Sequence, residues 1–454
     1  MQVAILGTGY VGLTTGACLA FLGHKVACVD ADLKKIGSLQ RGEMPFFEPH
    51  MIELIADAGQ NLTFTADYAK AIPGAQVIFI AVGTPPGANG GPDLRYLESA
   101  ARGIGDNLGS HFTVIVNKST VPIGSGNWVD SLVRDAFQRR NGNSPGGSFA
   151  VASNPEFLRE GSALHDSLYP DRVVIGADEP QTAEVLYTLY RPILEQSFTA
   201  PTYLPRPEET EAVPLISTDL ASAELIKYAA NAFLSLKISY INEVGQLAEK
   251  VGADIMQVAK GMGLDARIGT RFLQAGIGWG GSCFGKDTAA LVATASEYGL
   301  KMPIVEAARE VNRRQRGRVV DKLLGELKIL KGRSIGLLGL AFKPNTDDLR
   351  DAPALEVAHR LVERGAKVKA HDPVAMERFR LENPASEVIC CETVEEVASG
   401  ADALVLVTEW PQYRELDWED LARCMRSAIL VDGRHALDRT RLRRAGFRYI
   451  GLAG

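Results

Sequence analysis

Apolar residues in this 454-residue chain fall into short, dense runs separated by longer stretches with helical spacing. Residues 2–6 (QVAIL), 25–29, 76–82 (QVIFIAV), 113–117, 150–153 and 172–176 have strand length and little alternation. Strands buried on both faces read this way, because helices cover each side of a mostly parallel sheet. A helix-like stretch runs from Tyr10 to Leu22, and Gly23 ends it. Residues 201–214 (PTYLPRPEETEAVP) are rich in proline and glutamate and predict an exposed connection. Beyond it, Ser217-Thr218-Asp219 can cap a long helix over 220–251, which no proline interrupts. The pattern then repeats: a strand at 334–338, a turn at Gly339, a helix at 354–364, a strand at 367–371, and further strands at 403–408 and 428–431. The fold class expected is α/β, with two doubly wound Rossmann-like domains on either side of a helical middle segment containing the long helix.

The first apolar run leads into Gly7-Thr8-Gly9-Tyr10-Val11-Gly12, and the second ends on Asp30. In such a turn the glycines provide a tight bend, close backbone approach to a pyrophosphate, and close packing of helix on strand. The unsatisfied N–H groups at the helix start then meet the phosphates. Asp30 is placed to bond both ribose hydroxyls and to repel a 2′-phosphate, which favours NAD over NADP. In sheets of this kind ligands bind at the carboxyl ends of the strands. That rule points to Gly83-Thr84-Pro85, to Lys118-Ser119-Thr120 and to the loop 154–161 (NPEFLREG).

Two features of the middle segment carry chemistry. Lys227 and Asn231 lie four apart on the long helix and share one face. Residues 276–287 (GIGWGGSCFGKD) place four glycines before Cys283, a backbone shaped for close approach, and a helix is predicted to follow over 287–298. A helix N-terminus with Lys286 nearby favours a reactive thiolate, although the local pattern also fits a buried structural cysteine. The second α/β unit lacks a full glycine fingerprint. Its first loop, 339–350 (GLAFKPNTDDLR), predicts a nucleotide-type ligand other than a second dinucleotide, bound by cations such as Lys343.

Composition narrows the class without naming it. With 46% hydrophobic and 23% charged residues the chain reads as globular. A diffuse net charge of −6 argues against nucleic-acid partners. The N-terminal apolar stretch is broken by glycines and by His24 and Lys25, so neither a signal peptide nor a membrane span is expected. Six cysteines without ligand spacing predict no metal site and a reducing, cytoplasmic setting.

Taken in order, 7–12, GTP at 83–85, STVP at 119–122, NPEFLREG at 154–161, ELIKYAANAF at 224–233, GGSCFGKD at 280–287 and FKPNTDDLRDAP at 342–353 closely resemble the UDP-glucose/GDP-mannose dehydrogenase family, in its UDP-glucose 6-dehydrogenase branch. The resemblance covers nearly the whole chain. It implies an NAD-binding domain over 1–205, a helical domain over 206–312 that makes a homodimer, and a UDP-sugar domain over 313–454. It further implies oxidation of UDP-glucose to UDP-glucuronate with two NAD. By resemblance Cys283 is the nucleophile, and Asp287 and Lys227 handle protons and developing charge. Asn231 holds the sugar and oxyanion, Thr120 and Glu156 are active-site groups, and Glu156 serves as base for the hydrolytic water. Cofactor contacts implied are Gly7, Gly9, Tyr10, Val11, Gly12, Asp30, Lys35, Thr84, Thr120, Glu160, Lys286 and Arg350. Substrate contacts implied are Glu156, Phe157, Leu158, Arg159, Glu160, Lys227, Asn231, Gly280, Phe342, Lys343 and Arg434, with Arg267 reaching the neighbouring subunit's substrate. The 201–214 connection departs from the family, being longer and more acidic than expected.

The chemistry explains this set of groups. An aldehyde gives up no second hydride until a nucleophile adds, and a thiolate solves this by forming a thiohemiacetal and then a thioester, which water hydrolyses. Lys227 serves as an oxyanion stabiliser if charged and as a base if neutral, and the sequence leaves both open. GDP-mannose oxidation is the nearest alternative, and an idle NAD-binding regulator on the same fold is the more distant one.

Overall fold

The computed structural model describes residues 1–85, 87, 91–142, 145 and 148–453. The chain divides into two compact units, residues 1–230 with 289–298, and residues 231–288 with 299–454.

The first unit is built on an eight-stranded sheet: β1 (Gln2–Leu6), β2 (Lys25–Val29), β3 (Leu62–Thr65), β4 (Val77–Ile80), β5 (Thr113–Asn117), β6 (Phe149–Ser153), β7 (Val173–Gly176) and β8 (Leu215–Thr218). The order is β3-β2-β1-β4-β5-β6-β7-β8, and β6–β7 is its antiparallel pairing. The absence of alternation in the apolar runs has a direct cause. Val3 and Ile5 face one core and Ala4 and Leu6 the other, so both faces of β1 are covered. Full burial of each Val, Ile or Leu contributes about 1.5–3 kcal/mol, which is why the central strands tolerate no polar face. The register sets Val29, Leu6, Ile80, Asn117 and Ser153 in one row across five strands. Everything the sequence places just after those residues therefore emerges at one edge.

The second unit carries a six-stranded parallel sheet in the order β11-β10-β9-β12-β13-β14. Its strands are β9 (Ser334–Leu338), β10 (Lys367–His371), β11 (Ile389–Cys390), β12 (Ala403–Leu406), β13 (Ile429–Asp432) and β14 (Arg448–Gly451). A smaller cluster around Ile241, Ala248, Ile255 and Leu273 holds the helical part of this unit together.

The long helix spans Leu220–Val251 as predicted, and Asp219 caps it, accepting from the backbone N–H (2.8 Å) and hydroxyl (2.7 Å) of Ser222. Several expectations need correction. Ser217 and Thr218, expected in the cap, belong instead to an edge strand, Leu215–Thr218, and the cap is Asp219 alone. The helix after the glycine loop begins at Ser282 rather than 287, so Cys283 lies in its first turn. The run 76–82 extends past its strand, Val77–Ile80, because apolar residues continue into the turn. The connection 201–214 is tied down in part: the Tyr203 hydroxyl donates to Asp57 (2.6 Å), that of Tyr169 to the Leu204 carbonyl (2.9 Å), and Pro201 and Val213 are buried.

Candidate active site

The turn between β1 and helix Tyr10–Phe21 has the shape a dinucleotide needs. Gly7 has φ +102°, and a Cβ there would stand 2.5 Å from the Ala81 carbonyl oxygen; one on Gly12 would stand 1.9 Å from that of Gly7. Gly9, the residue before the helix, faces open space, and its lack of a side chain leaves the N–H groups of the first turn accessible. Asp30, just past β2, accepts from the Thr8 backbone (2.9 Å) and hydroxyl (2.7 Å), from Asp32 N–H (3.0 Å) and from Lys35 Nζ (3.0 Å). Burial pushes this carboxyl up, but the four bonds outweigh it and hold it below its ordinary range. The residues thus fit a bound dinucleotide: a phosphate-facing helix start and an ionised acid at the ribose position.

At the same edge the ends of β5 and β6 and the long helix form a small cleft lined by Lys118, Ser119, Thr120, Glu156, Glu224, Lys227 and neighbours. Lys227 and Glu156 make a buried ion pair there. The ammonium lies 2.7 Å from Glu156 Oε1 and donates to the Glu156 backbone carbonyl at 2.6 Å, while Oε2 accepts the Leu158 N–H at 2.9 Å. Both side chains are under a tenth exposed. Thr84 joins Thr120 by a bond from its hydroxyl to the Thr120 carbonyl (3.0 Å), linking the turns after β4 and β5. The Phe157 ring is covered by Arg172 at 3.8 Å and faces Lys227 at 5.5 Å. Arg159 forks onto Asp166 with bonds of 2.9 and 2.7 Å, pinning the loop after β6.

Three further side chains at this edge lie within motifs already quoted, yet the motifs do not reveal what they touch. Lys118 is half-buried by its exposed surface, donates to Asn154 Oδ1 at 2.8 Å, and desolvation brings it down to about 8. Glu224, one turn before Lys227, accepts from Gly124 N–H (2.6 Å) and Gly126 N–H (3.1 Å). Burial pushes its carboxyl up to about 7 against those two bonds. Asn154 in turn accepts from the Tyr190 hydroxyl at 2.6 Å. Lone buried polar residues become legible only when their partners, 36 to 100 positions away, are known.

In the second unit, the glycine loop before Cys283 crosses the first loop of the second sheet. A Cβ on Gly280 would lie 2.4 Å from the Asp351 carbonyl, and one on Gly281, at φ +85°, 2.7 Å from the Phe342 ring. The close approach the glycines predicted is made, in this structure, by the protein's own chain. Asn231 donates to Asp287 at 2.6 Å, and Lys286 sits 3.4 Å from the same carboxylate. Arg434 binds the carbonyls of Val407 (2.7 Å), Gly278 (2.9 Å) and Phe342 (3.2 Å), so it braces the same loops. Lys343 lies 5.5 Å from the Phe342 ring. Arg350 forks onto Asp348, and Arg267 onto Asp265 with its side chain 88% exposed. Among the described residues, no three His, Cys, Asp or Glu side chains gather where they could hold a metal, and no helix is long and apolar enough to cross a membrane.

The chain is similar to known proteins along most of its length. Residues 1–194 match the NAD-binding domain of the UDP-glucose/GDP-mannose dehydrogenase family, 221–314 its central domain and 336–439 its UDP-binding domain. The chain is 43% identical to a UDP-glucose 6-dehydrogenase of Bacillus subtilis, covering 99% of this chain and 93% of that protein. It is 44% identical to one of Rhizobium meliloti, covering 100% and 99%. A solved UDP-glucose dehydrogenase from Pyrobaculum islandicum superposes with a TM-score of 0.86 at 39% identity, over 99% of this chain and 97% of that one.

Proposed function

The chain belongs to the UDP-glucose/GDP-mannose dehydrogenase family and is an NAD-dependent dehydrogenase, and from that premise we propose that it oxidises UDP-glucose to UDP-glucuronate in two steps, through a thiohemiacetal and a thioester on Cys283. NAD, when bound, supplies the hydride acceptor for each step. The buried Lys227–Glu156 pair in the cleft is the observation that carries this reading. Such a pair contributes little to stability, yet it holds an ammonium where an alkoxide develops and a carboxylate where a water must be deprotonated. Asn231 follows one helical turn after Lys227 and donates to Asp287, a bond that orders its amide as an oxyanion donor. Lys227 acts as a charged stabiliser, each such donor lowering the barrier by about 3–4 kcal/mol. Cys283, in the first turn of its helix, adds to the aldehyde left when the alcohol has given up its hydride; the hydroxyl proton of that first oxidation and the thiol proton both pass to solvent through Asp287 and a water. Glu156 activates the water that cleaves the thioester.

Thr120 and Glu160 complete the cleft on the nicotinamide side, while Lys35, Thr84, Lys286 and Arg350 serve the cofactor. Phe157, Leu158 and Arg159 shape the sugar site, and Gly280, Phe342, Lys343 and Arg434 the uridine diphosphate site. The three domains are 1–205, 206–312 and 313–454. The working unit is a cytoplasmic homodimer in which Arg267 reaches the partner's substrate; no disulfide joins any of the six cysteines, all among the described residues. Support for the dimer comes from the long helix, whose Phe233, Tyr240, Leu247 and Val251 are 49–68% exposed.

A panel of nucleotide sugars with NAD tests the reading, with product identified and NADH counted. UDP-glucose is expected to react best and to yield two NADH per sugar. GDP-mannose as best substrate, a ratio near one, or no turnover at all would each overturn it.

A further inference from the structure

Glu48 lies outside every motif described above, yet it is buried against the start of the dinucleotide-binding helix. Its carboxylate accepts the hydroxyl of Tyr10, the first residue of that helix. It also accepts the backbone N–H groups of Gly161 (2.6 Å) and Ala163 (2.7 Å), at the end of the loop that follows β6. Gly161 N–H is shared with the Tyr10 oxygen at 2.7 Å, so phenol, carboxylate and loop backbone form one network. The Tyr10 ring rests on Phe46 with centroids 4.5 Å apart, which fixes it beside the segment that bears Glu48. The far side of the loop is anchored separately, by Arg159 on Asp166.

We propose that Glu48 is a positioning residue that couples cofactor binding at the glycine turn to the order of the loop carrying Glu156 and Glu160. The physical route is short. A pyrophosphate at the helix start restrains the backbone of Tyr10. Through its hydroxyl Tyr10 restrains Glu48, and the carboxylate restrains the two N–H groups that end the loop. Ordering by the first ligand lowers the entropy still to be lost when a second ligand uses the same loop, which is positive cooperativity without a change of fold. The inference rests on the family's NAD binding and on the proposed role of the loop in catalysis, but its test needs no sugar.

Hydrogen exchange of the full-length protein, with NAD alone as the probe, reads the coupling directly. In the unmodified protein NAD is expected to slow exchange of the Gly161 and Ala163 amides by about fivefold or more, the usual lower range of coupling between sites. Tyr10→Phe keeps the ring on Phe46 and leaves Glu48 accepting both loop N–H groups, but it takes the Tyr10 oxygen from Gly161, so Ala163 is the deciding amide: its exchange without NAD should stay near the unmodified value, and NAD is raised to saturation for each protein. The slowing caused by NAD should then fall below half. A purely structural role for the network would change exchange equally with and without NAD. Glu48→Gln presents an amide N–H to a backbone N–H, loosens the loop, and by reciprocity should weaken NAD binding several-fold. If that variant fails to fold, Tyr10→Phe still decides. No slowing by NAD in the unmodified protein, or more than half of it retained in Tyr10→Phe, overturns the proposal.

Discussion

Single residues in this protein owe their chemistry to burial, and two of them give sharp expectations. Glu224 has its carboxyl raised from an ordinary 4.5 to about 7, burial outweighing the N–H groups of Gly124 and Gly126. The folded chain therefore holds a proton that the unfolded chain has released between those values. Stability from this group is full below about 4.5 and falls as pH rises through 7, by about 3 kcal/mol in all. Glu224→Gln, which keeps one accepting oxygen, removes that slope. Between pH 5 and 8 the variant should gain about 2–3 kcal/mol relative to the unmodified protein in denaturant unfolding, and a constant difference would refute the buried-acid account. Cys283 gives the second expectation. Cys283→Ser should fold and bind NAD, yet make less than about a thousandth of the acid, because the poorly nucleophilic hydroxyl does not capture the aldehyde. Acid formation near the unmodified rate would remove the cysteine from the mechanism.

Elements place these residues through their ends more than their middles. The row from Val29 to Ser153 brings Gly7, Lys118 and Asn154 to one sheet edge although they are far apart in sequence. The helix bearing Cys283 starts at Ser282 because Gly281 turns the chain at φ +85°, where an L side chain is strained. Gly281→Ala adds that strain, about 1–2 kcal/mol, and a methyl 2.7 Å from the Phe342 ring. Thermal unfolding should show the loss of stability, and turnover should fall at least tenfold as Cys283 is displaced. An alanine variant with unchanged melting and turnover would mean the loop has room to spare. Asp219→Ala, which removes the cap of the long helix, should cost about 1 kcal/mol in the same assay and leave the affinity for NAD unaltered.

For the whole molecule the question is what covers the long helix. By spacing alone, Leu225, Ala229, Ala232, Leu236 and Ser239 would share one face of this helix. In the structure Ala232 and Ser239 are buried within the chain, Ser239 donating to the Ala308 carbonyl at 2.8 Å. The exposed stripe keeps Leu225 and continues through Phe233, Tyr240, Leu247 and Val251, at helical spacing. Under the proposed homodimer, Phe233→Asp with Leu247→Asp should yield monomers in sedimentation velocity with the secondary structure retained. A dimer unchanged by both charges would place the interface elsewhere. Mixing Cys283→Ser with Arg267→Ala subunits then asks whether Arg267 acts across the interface: hybrid dimers should recover part of the activity, and no recovery in proven hybrids confines Arg267 to its own subunit.

Much of this protein was legible in its order of residues, for a physical reason. Strand runs, the glycine turn with Asp30, the long helix and the Lys227–Asn231 spacing are local patterns, and local patterns are set by backbone sterics and by period. The family resemblance drew on the same short motifs. Short edge strands such as Leu62–Thr65 and Ile389–Cys390 escaped notice because two to four residues carry too little periodicity. The roles of Glu48, Lys118 and Glu224 escaped for a different reason. A buried charge is identified by what it touches, and their partners lie from 36 to 115 positions away. Which face of the long helix stays exposed was likewise decided by packing, since its composition offers apolar residues on more than one side. Sequence determined which elements form and which chemistry they can bear; only the folded chain decided which charges are paired, which are buried, and which surface is left to be covered.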